Sequence, residues 1–227
     1  MRKVWLLSVV LTALLAGCGL LPDRSTALQE TLPTLSVLPL EEGRRWVYRY
    51  DAYVGEAEAS YVYTDTVHEV INEDTYIAAR VEREVAVLEE PGEALFIAPE
   101  TESFWYVLLK DGRIYRQAEL DLEELDKRGT LEYRLPFNPQ RCWYSDPQQR
   151  ANLAAAAVDY PGCRRPSEPQ SMSTAVGDFE RCYVILTPYN SGGVFEELCE
   201  GVGVVGTHYD HAGSRFGYQA TLIETYP

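Results

Sequence analysis

The sequence has few of the residues and motifs with which enzymes carry out chemistry. Its 227 residues include only three histidines, and neither a Gly-x-Ser-x-Gly nor a His-Glu-x-x-His motif is present. A Cys-x-x-Cys pair, the usual sign of a structural zinc site, is also missing. We therefore expect a protein that is not an enzyme and that uses neither a metal ion nor another cofactor.

Basic residues are scarce as well. The chain has 20 lysines and arginines against 35 aspartates and glutamates, which gives a formal net charge of −15 at pH 7. Such a surface repels the phosphates of nucleic acids, so we expect no nucleic acid partner. An acidic surface can attract cations or basic partners, although a solvated surface that keeps the protein soluble is the simpler interpretation.

Long apolar runs are absent too. The apolar run near the N-terminus, from Val4 to Ala16, is interrupted by Ser8 and Thr12. It is too short for a bilayer-spanning helix, which needs about 20 residues. Because it follows two basic residues and ends in small ones, the pattern predicts an export signal.

The end of this run carries a more specific motif. Leu15, Ala16, Gly17 and Cys18 resemble the lipobox of bacterial lipoproteins. The resemblance implies that the Cys18 thiol carries a diacylglyceryl group, that the chain is cut between Gly17 and Cys18, and that the new amine is acylated. It also implies a lipid-anchored protein on the extracytoplasmic side of the cell membrane or outer membrane, with the lipid bilayer as a partner.

The rest of the chain divides into two further regions. After the predicted signal peptide, residues 1–17, the segment 18–37 contains two prolines and no clear hydrophobic period, which predicts a flexible tether. Residues 38–227 are predicted to form one β-rich extracytoplasmic domain, long enough to bury a sizeable core.

Alternating side chains predict strands in this domain. Trp46, Tyr48 and Tyr50 share one face of a strand, and in 79–87 valines alternate with charged residues. Asp111-Gly112 is the preferred sequence of a two-residue hairpin turn. The run 104–109 is apolar on both faces, so it lies in the centre of the fold or lines a cavity. Short helices are expected at 118–128 and after Asp146, with Asp146 as the cap and Pro147 as the first helical residue.

We therefore predict a mainly β fold: a single antiparallel barrel-like or sandwich-like domain with one or two short helices. Two stretches 97 positions apart also share four identical residues in nine positions, which raises the hypothesis of two related halves. The two stretches contain Leu38-Pro39-Leu40 with Arg44 and Trp46, and Leu135-Pro136-Phe137 with Arg141 and Trp143.

Three short motifs resemble those of a loose group of secreted, β-rich envelope lipoproteins without assigned function. They are Pro39, Leu40, Gly43, Trp46 and Tyr48; Gly177, Phe179 and Cys182; and Gly201, Val202, Gly203 and Val205. The resemblance implies an envelope-anchored β domain and provides no catalytic residues.

Four cysteines remain besides Cys18. An even number in an exported chain indicates disulfides, and three pairings are possible. We expect neighbours in sequence to pair, which gives Cys142 with Cys163 and Cys182 with Cys199.

Three other patterns have simpler explanations than an active site. Gly201–Gly206 matches a dinucleotide-binding fingerprint, but no helical period follows, so a bulge or a close backbone approach is expected. His208, Asp210 and His211 could hold a metal ion, yet they do not share one strand face. The acidic segment 119–126 is explained by the wet face of a helix.

Two functions compete on this basis. In the first, the domain is a non-catalytic binding module that holds an apolar ligand in a curved sheet, with residues 104–109 as one wall. In the second, it is a structural or interaction lipoprotein that presents a surface to envelope partners. A hydrolase is the least favoured alternative.

Overall fold

The protein is described by a computed structural model that covers residues 37–89, 98–149 and 162–227. These residues belong to one compact unit, Pro33–Pro227. The predicted signal peptide, the cleavage site at Gly17 and Cys18, and the tether up to residue 36 lie outside the described residues. Within the described ranges, no helix has the length and apolar character needed to cross a bilayer.

The described chain is built almost entirely from β-strands. In chain order they are β1 (Arg45–Val54), β2 (Ala57–Asn72), β3 (Tyr76–Glu89), β4 (Glu102–Leu109), β5 (Arg113–Gln117), β6 (Thr130–Arg134), β7 (Trp143–Tyr144), β8 (Cys163–Pro166), β9 (Gln170–Thr174), β10 (Gly177–Tyr189), β11 (Gly192–Cys199), β12 (Gly203–His211) and β13 (Phe216–Tyr226). One short helix, α1 (Leu125–Arg128), precedes β6.

The strands form one antiparallel sheet in the order β6-β5-β4-β3-β2-β1-β13-β12-β11-β10-β8-β7, with β9 attached to β10. The two terminal strands of this order approach each other, because the Leu131 N–H donates to the Ser145 carbonyl over 3.1 Å. The sheet is therefore a nearly closed antiparallel barrel, which confirms the predicted fold class. Closure satisfies the strand edges that an open sheet would expose.

The alternation predicted from the sequence is present in β1. Trp46, Tyr48, Tyr50 and Ala52 are buried on one face, whereas Arg45 and its neighbours on the other face are more exposed. A half-buried strand requires this period of two, because successive side chains point to opposite faces. The aromatic face of β1 lies inside the barrel.

Because the sheet is antiparallel throughout, the loops fall at two ends of the barrel. The proximal end, at which the chain enters from Val37, contains residues 37–44, 73–75, 110–112, 135–142 and 200–202. The distal end contains residues 55–56, 98–101, 118–129, 190–191 and 212–215.

The predicted hairpin at Asp111-Gly112 is present with a longer turn. The loop between β4 and β5 has three residues, Lys110 to Gly112, and the Gly112 N–H donates to the Leu109 carbonyl over 3.0 Å. Gly112 has a φ of 83°, and a β-carbon there would lie 2.3 Å from the Leu135 carbonyl oxygen. A three-residue loop uses a left-handed residue at its last position, and here only glycine fits.

The two predicted helices differ in outcome. In 118–128 only the last four residues are helical, because the Asp121 carboxylate accepts the N–H groups of Glu123 and Glu124 and holds a turn instead. The predicted length was therefore wrong. Residues 147–149 are helical, and the Asp146 carboxylate accepts the Gln148 N–H over 2.7 Å, so the predicted cap is confirmed.

Both expected cysteine pairs are joined. Cys182 and Cys199 are direct partners on β10 and β11, with their Cα atoms 4.0 Å apart. Cys142 and Cys163, whose Cα atoms are 5.6 Å apart, connect the loop before β7 to β8. Each bridge closes a loop of about 20 residues, for which the chain-entropy estimate is about 3 kcal/mol.

The repeated pattern occupies equivalent places in the two halves of the sheet order. One copy leads into β1 and the other into β7. Both tryptophans are buried and donate through Nε1 to a backbone carbonyl, Trp46 to Val202 over 2.6 Å and Trp143 to Glu132 over 3.1 Å. A common origin of the halves stays a hypothesis.

Candidate ligand-binding cavity

The barrel encloses a cavity of about 460 Å³. This volume lies within the range of about 300–1,000 Å³ that is typical of small-molecule sites. Six tyrosines contribute to its wall: Tyr48, Tyr50, Tyr63, Tyr106, Tyr133 and Tyr218. Ala98, an exposed residue at the distal end, also lines the cavity, so the cavity reaches the surface beside it.

The tyrosines face inward because they occupy alternate positions of neighbouring strands. Tyr48 stacks on Tyr63 across β1 and β2, with ring centroids 4.7 Å apart, and Tyr50 stacks on Tyr218 at 5.2 Å. The Tyr48 hydroxyl donates to the Val204 carbonyl over 2.9 Å. Cross-strand aromatic pairs fix ring orientation, so this part of the wall is preorganised.

An ionic cluster, which we call the Arg83 cluster, consists of Asp65, Arg83, Glu102 and Arg116. Arg83 donates to both carboxylate oxygens of Asp65 over 2.7 Å, and its Nη1 lies 3.3 Å from Glu102. Glu102 also accepts from Arg116 at 2.5 Å. The Arg83 guanidinium lies 4.4 Å from the centre of the Tyr63 ring. Bidentate, ring-stacked arginine of this kind is strongly oriented.

A second ionic cluster, which we call the Arg164 cluster, consists of Glu132, Tyr133, Arg164 and Glu196. Arg164 donates to Glu132 over 2.7 Å and to Glu196 over 3.2 Å, and the Tyr133 hydroxyl donates to Glu196 over 2.5 Å. These residues come from β6, β8 and β11, so the cluster spans the line along which the barrel closes. Among the described residues, the buried Nε of Arg164 has no hydrogen-bond partner.

Burial changes the ionisation of the wall. It raises the pKa of Tyr218 to about 12, and it raises the pKa of Tyr48 and of Tyr133 well above the usual value of a phenol. Burial also raises the pKa of Glu196, although Arg164 acts in the opposite direction. The phenols are therefore neutral hydrogen-bonding groups at physiological pH.

The wall differs from the apolar wall that we expected. Of the run 104–109, only Tyr106 lines the cavity; Phe104, Val107 and Leu108 are buried elsewhere, and Trp105 is half-buried. The charged residues of the two clusters were missed by the sequence analysis. The sequence did contain one signal: Asp65 belongs to the same series of alternate, inward-facing positions of β2 as Tyr61 and Tyr63. A charged residue in a buried series indicates an internal partner.

The other candidate patterns do not form a site. His208 stacks on Phe195 at 4.6 Å, the His211 Nδ1 lies 2.8 Å from the Ser214 hydroxyl, and Asp210 accepts from Tyr53 over 2.6 Å. Within the described parts of the chain, no group of three or more His, Cys, Asp or Glu side chains is placed to hold a metal ion.

Residues Gly201–Gly206 form the turn from β11 into β12, and strand β13 follows. A dinucleotide-binding fingerprint would instead lead from a strand into a helix. Gly203 has a φ of 99°, and a β-carbon there would lie 3.4 Å from Leu38 and 3.6 Å from Trp46. The pairing of β11 with β12 shifts register between Glu197 and Leu198. The glycines thus mark a β-bulge and a close approach of the backbone to Leu38 and Trp46, as predicted.

No protein-family model matches this chain, and no curated protein is significantly similar to it. Two solved structures are similar in fold. A protein of Bacteroides fragilis, inferred to be exported and described as having a YmcC-like fold, is 9% identical, with a TM-score of 0.50; the match covers 85% of this chain and 99% of that one. A protein of Parabacteroides distasonis, inferred to be a lipoprotein, is 14% identical, with a TM-score of 0.46 and coverage of 82% and 96%. At these identities, the similarity to the Bacteroides fragilis protein shows the fold alone.

Proposed function

We propose that this chain is a lipid-anchored, extracytoplasmic protein of the cell envelope with a non-catalytic role: it binds a small ligand inside its barrel. The observation that carries the binding role is the cavity of about 460 Å³ that reaches the surface beside Ala98. The lipobox-like residues before Cys18 support the anchor. The fold shared with a Bacteroides fragilis protein inferred to be exported supports the location.

The wall defines the chemistry of the ligand. The carboxylates of both ionic clusters already lie within hydrogen-bond distance of an arginine. A charged ligand would have to compete with these pairs, whereas a neutral ligand can use tyrosine hydroxyls and ring faces. The best fit is therefore an uncharged, polar molecule with flat apolar faces, and not the purely apolar ligand of the sequence analysis.

Purification of the acylated full chain from its own membrane tests this function. We expect native mass spectrometry to detect a bound small molecule, and chromatography of a denatured sample to release it. Ala220→Phe places a ring in the cavity, because Ala220 is buried and lines it. This variant should lose the ligand without losing the fold.

The matched control is Ala86→Phe, at an exposed position of β3 outside the cavity wall. It should retain the ligand. If the wild-type protein carries no ligand and binds none from a lipid-free extract of its own envelope, the binding role is wrong. The alternative function, a surface for envelope partners, would then take its place.

A further inference from the structure

A second pocket, of about 280 Å³, lies at the proximal end and shares no residue with the barrel cavity. We call it the proximal pocket. Its walls are the β4–β5 turn at Asp111 and the loop from Leu135 to Trp143, with Arg134, Asn138 and Arg141 among the lining side chains. It lies at the end of the barrel where the chain enters from Val37.

The walls of the proximal pocket are fixed by several independent contacts. The Leu135 N–H donates to the Gly112 carbonyl over 2.8 Å, which joins the loop to the turn. The Phe137 ring packs on Trp143 and on Tyr183, with centroid distances of 6.1 and 4.7 Å. The disulfide at Cys142 holds the other end of the loop. A ligand here would meet a preorganised site.

The charge of this pocket departs from that of the rest of the protein. Arg134 and Arg141 are both exposed, and within the described chain neither has an acidic partner at ion-pair distance. The carboxylate in the pocket, Asp111, is engaged by Arg113 at 2.7 Å. Most other arginines of the described chain pair with acids, so two uncompensated guanidinium groups in one pocket are exceptional in a chain of net charge −15.

These groups match the chemistry of a phosphate group. The planar guanidinium presents parallel N–H donors that fit phosphate oxygens, and two of them neutralise its charge. Asn138 adds a neutral donor: its Oδ1 accepts the Gln140 N–H over 2.9 Å, so its amide NH₂ is the part available to a ligand. We propose that the proximal pocket is a binding site for a phosphate group, held between Arg134 and Arg141.

Two sources share this chemistry: the headgroup of an anionic phospholipid and free phosphate. The headgroup is the source that the position favours, because the pocket lies at the end from which the tether leads to the proposed anchor. This preference rests on the proposed anchoring, whereas the phosphate site itself does not.

The experiment uses the acylated full chain in phosphatidylcholine vesicles. Arginines are modified with phenylglyoxal, and the rate at each position is measured by peptide mass spectrometry. Added inorganic phosphate, compared with chloride at equal ionic strength, should slow modification of Arg134 and Arg141 and leave Arg128 unchanged. Arg128 is an exposed arginine of the distal end and is the internal reference. Replacement of part of the phosphatidylcholine by phosphatidylglycerol, without phosphate, tests the headgroup.

Two variants distinguish a specific phosphate site from non-specific electrostatic screening by the added ions. In Arg134→Gln, the phosphate concentration that protects Arg141 should rise about tenfold, because one charge-assisted contact is lost. Arg128→Gln removes the same charge at the other end and should leave protection unchanged. Protection by phosphatidylglycerol identifies the headgroup as a source, and protection by phosphate alone identifies free phosphate. If neither protects Arg134 and Arg141, or if Arg128 is protected equally, the proposal is overturned.

Discussion

The two ends of the barrel carry similar charge but differ in the way their loops are fixed. The distal loops contain seven acids and three bases, and the proximal loops contain six acids and three bases. Exposed acids are present at both ends, for example Glu100 and Asp121 at the distal end and Glu41 and Asp74 at the proximal end. The contrast between the two ends therefore lies in their construction and not in their net charge.

The loops of the two ends are held by different kinds of contact. The proximal end has the Cys182–Cys199 bridge, the Cys142 end of the second bridge, and the Phe137 ring packed on the buried Trp143 and Tyr183. At the distal end, contacts between side chains include exposed pairs such as Arg215 with Glu58 and Tyr53 with Asp210. Exposed pairs contribute little to stability, whereas disulfides contribute several kcal/mol. Rigidity is therefore concentrated at the proximal end, where covalent and aromatic contacts hold the loops.

The largest expected effect concerns the proposed lipid anchor. Cys18→Ser removes the thiol that the lipobox resemblance identifies as the lipid carrier, so we expect the protein to leave the membrane fraction or to remain uncleaved. Cell fractionation and N-terminal sequencing of the wild-type protein measure this. A mature wild-type chain that begins at any residue other than Cys18 would contradict the anchor.

The next effect tests the closure of the barrel between the two ends. Arg164→Met leaves Glu132 and Glu196 without their common cation, and only about a tenth of the Arg164 side chain is exposed. Loss of one partner of a buried pair costs about 3–5 kcal/mol in the free energy of unfolding. Urea denaturation measures it. A loss below about 1 kcal/mol would show that the Arg164 cluster does not stabilise the closure of the barrel.

A third prediction compares the ends directly. The double variant Cys182→Ala, Cys199→Ala removes a proximal bridge and should lower the free energy of unfolding by about 3 kcal/mol. Arg215→Gln removes an exposed distal pair and should cost less than about 1 kcal/mol. Equal losses in the two variants would contradict the contrast in construction. Peptide mapping without reductant checks the pairing itself, and a Cys163–Cys182 peptide would refute it.

The smallest effect concerns pH. Burial raises the pKa of Glu196 above the value of 4.5 that it has in the unfolded chain. The folded protein therefore binds this proton more tightly, so the contribution to stability is fully present below pH 4.5 and is lost as the pH rises through the folded-state pKa. Glu196→Gln removes this titrating group, so the free energy of unfolding should fall less in the variant than in the wild-type protein as the pH rises through this range. Thermal unfolding across a pH series measures it, with Glu197→Gln as the control.

Much of the fold could be predicted because it depends on local alternation. The buried face of β1 follows from Trp46, Tyr48 and Tyr50 alone, and the hairpin at Gly112 follows from a turn sequence. The 118–128 helix was predicted too long because a carboxylate at Asp121 competes for the same N–H groups. A local sequence pattern does not show whether such a segment forms a helix or a turn closed by a side-chain carboxylate.

The site could not be predicted because its charges lie among buried residues and find partners on other strands. Arg83 stands between Val81 and Val85 on an inward face, and only the register of β2 against β3 brings Asp65 opposite to it. Glu132, Arg164 and Glu196 are 32 positions apart from one to the next. Their convergence depends on the closure of the barrel, which alternation alone does not specify.

The pairing of β1 with β13 has a consequence for the order in which the chain folds. The Thr225 hydroxyl donates to the Arg45 carbonyl across 180 residues of sequence. Strands β1 to β6 can form successive hairpins soon after they are made, but the free edge of β1 must wait for the last strand. Long-range pairing of this kind slows folding, and an unpaired edge invites association with other chains. Early release of an incomplete chain would therefore leave the edge of β1 exposed until β13 has been made.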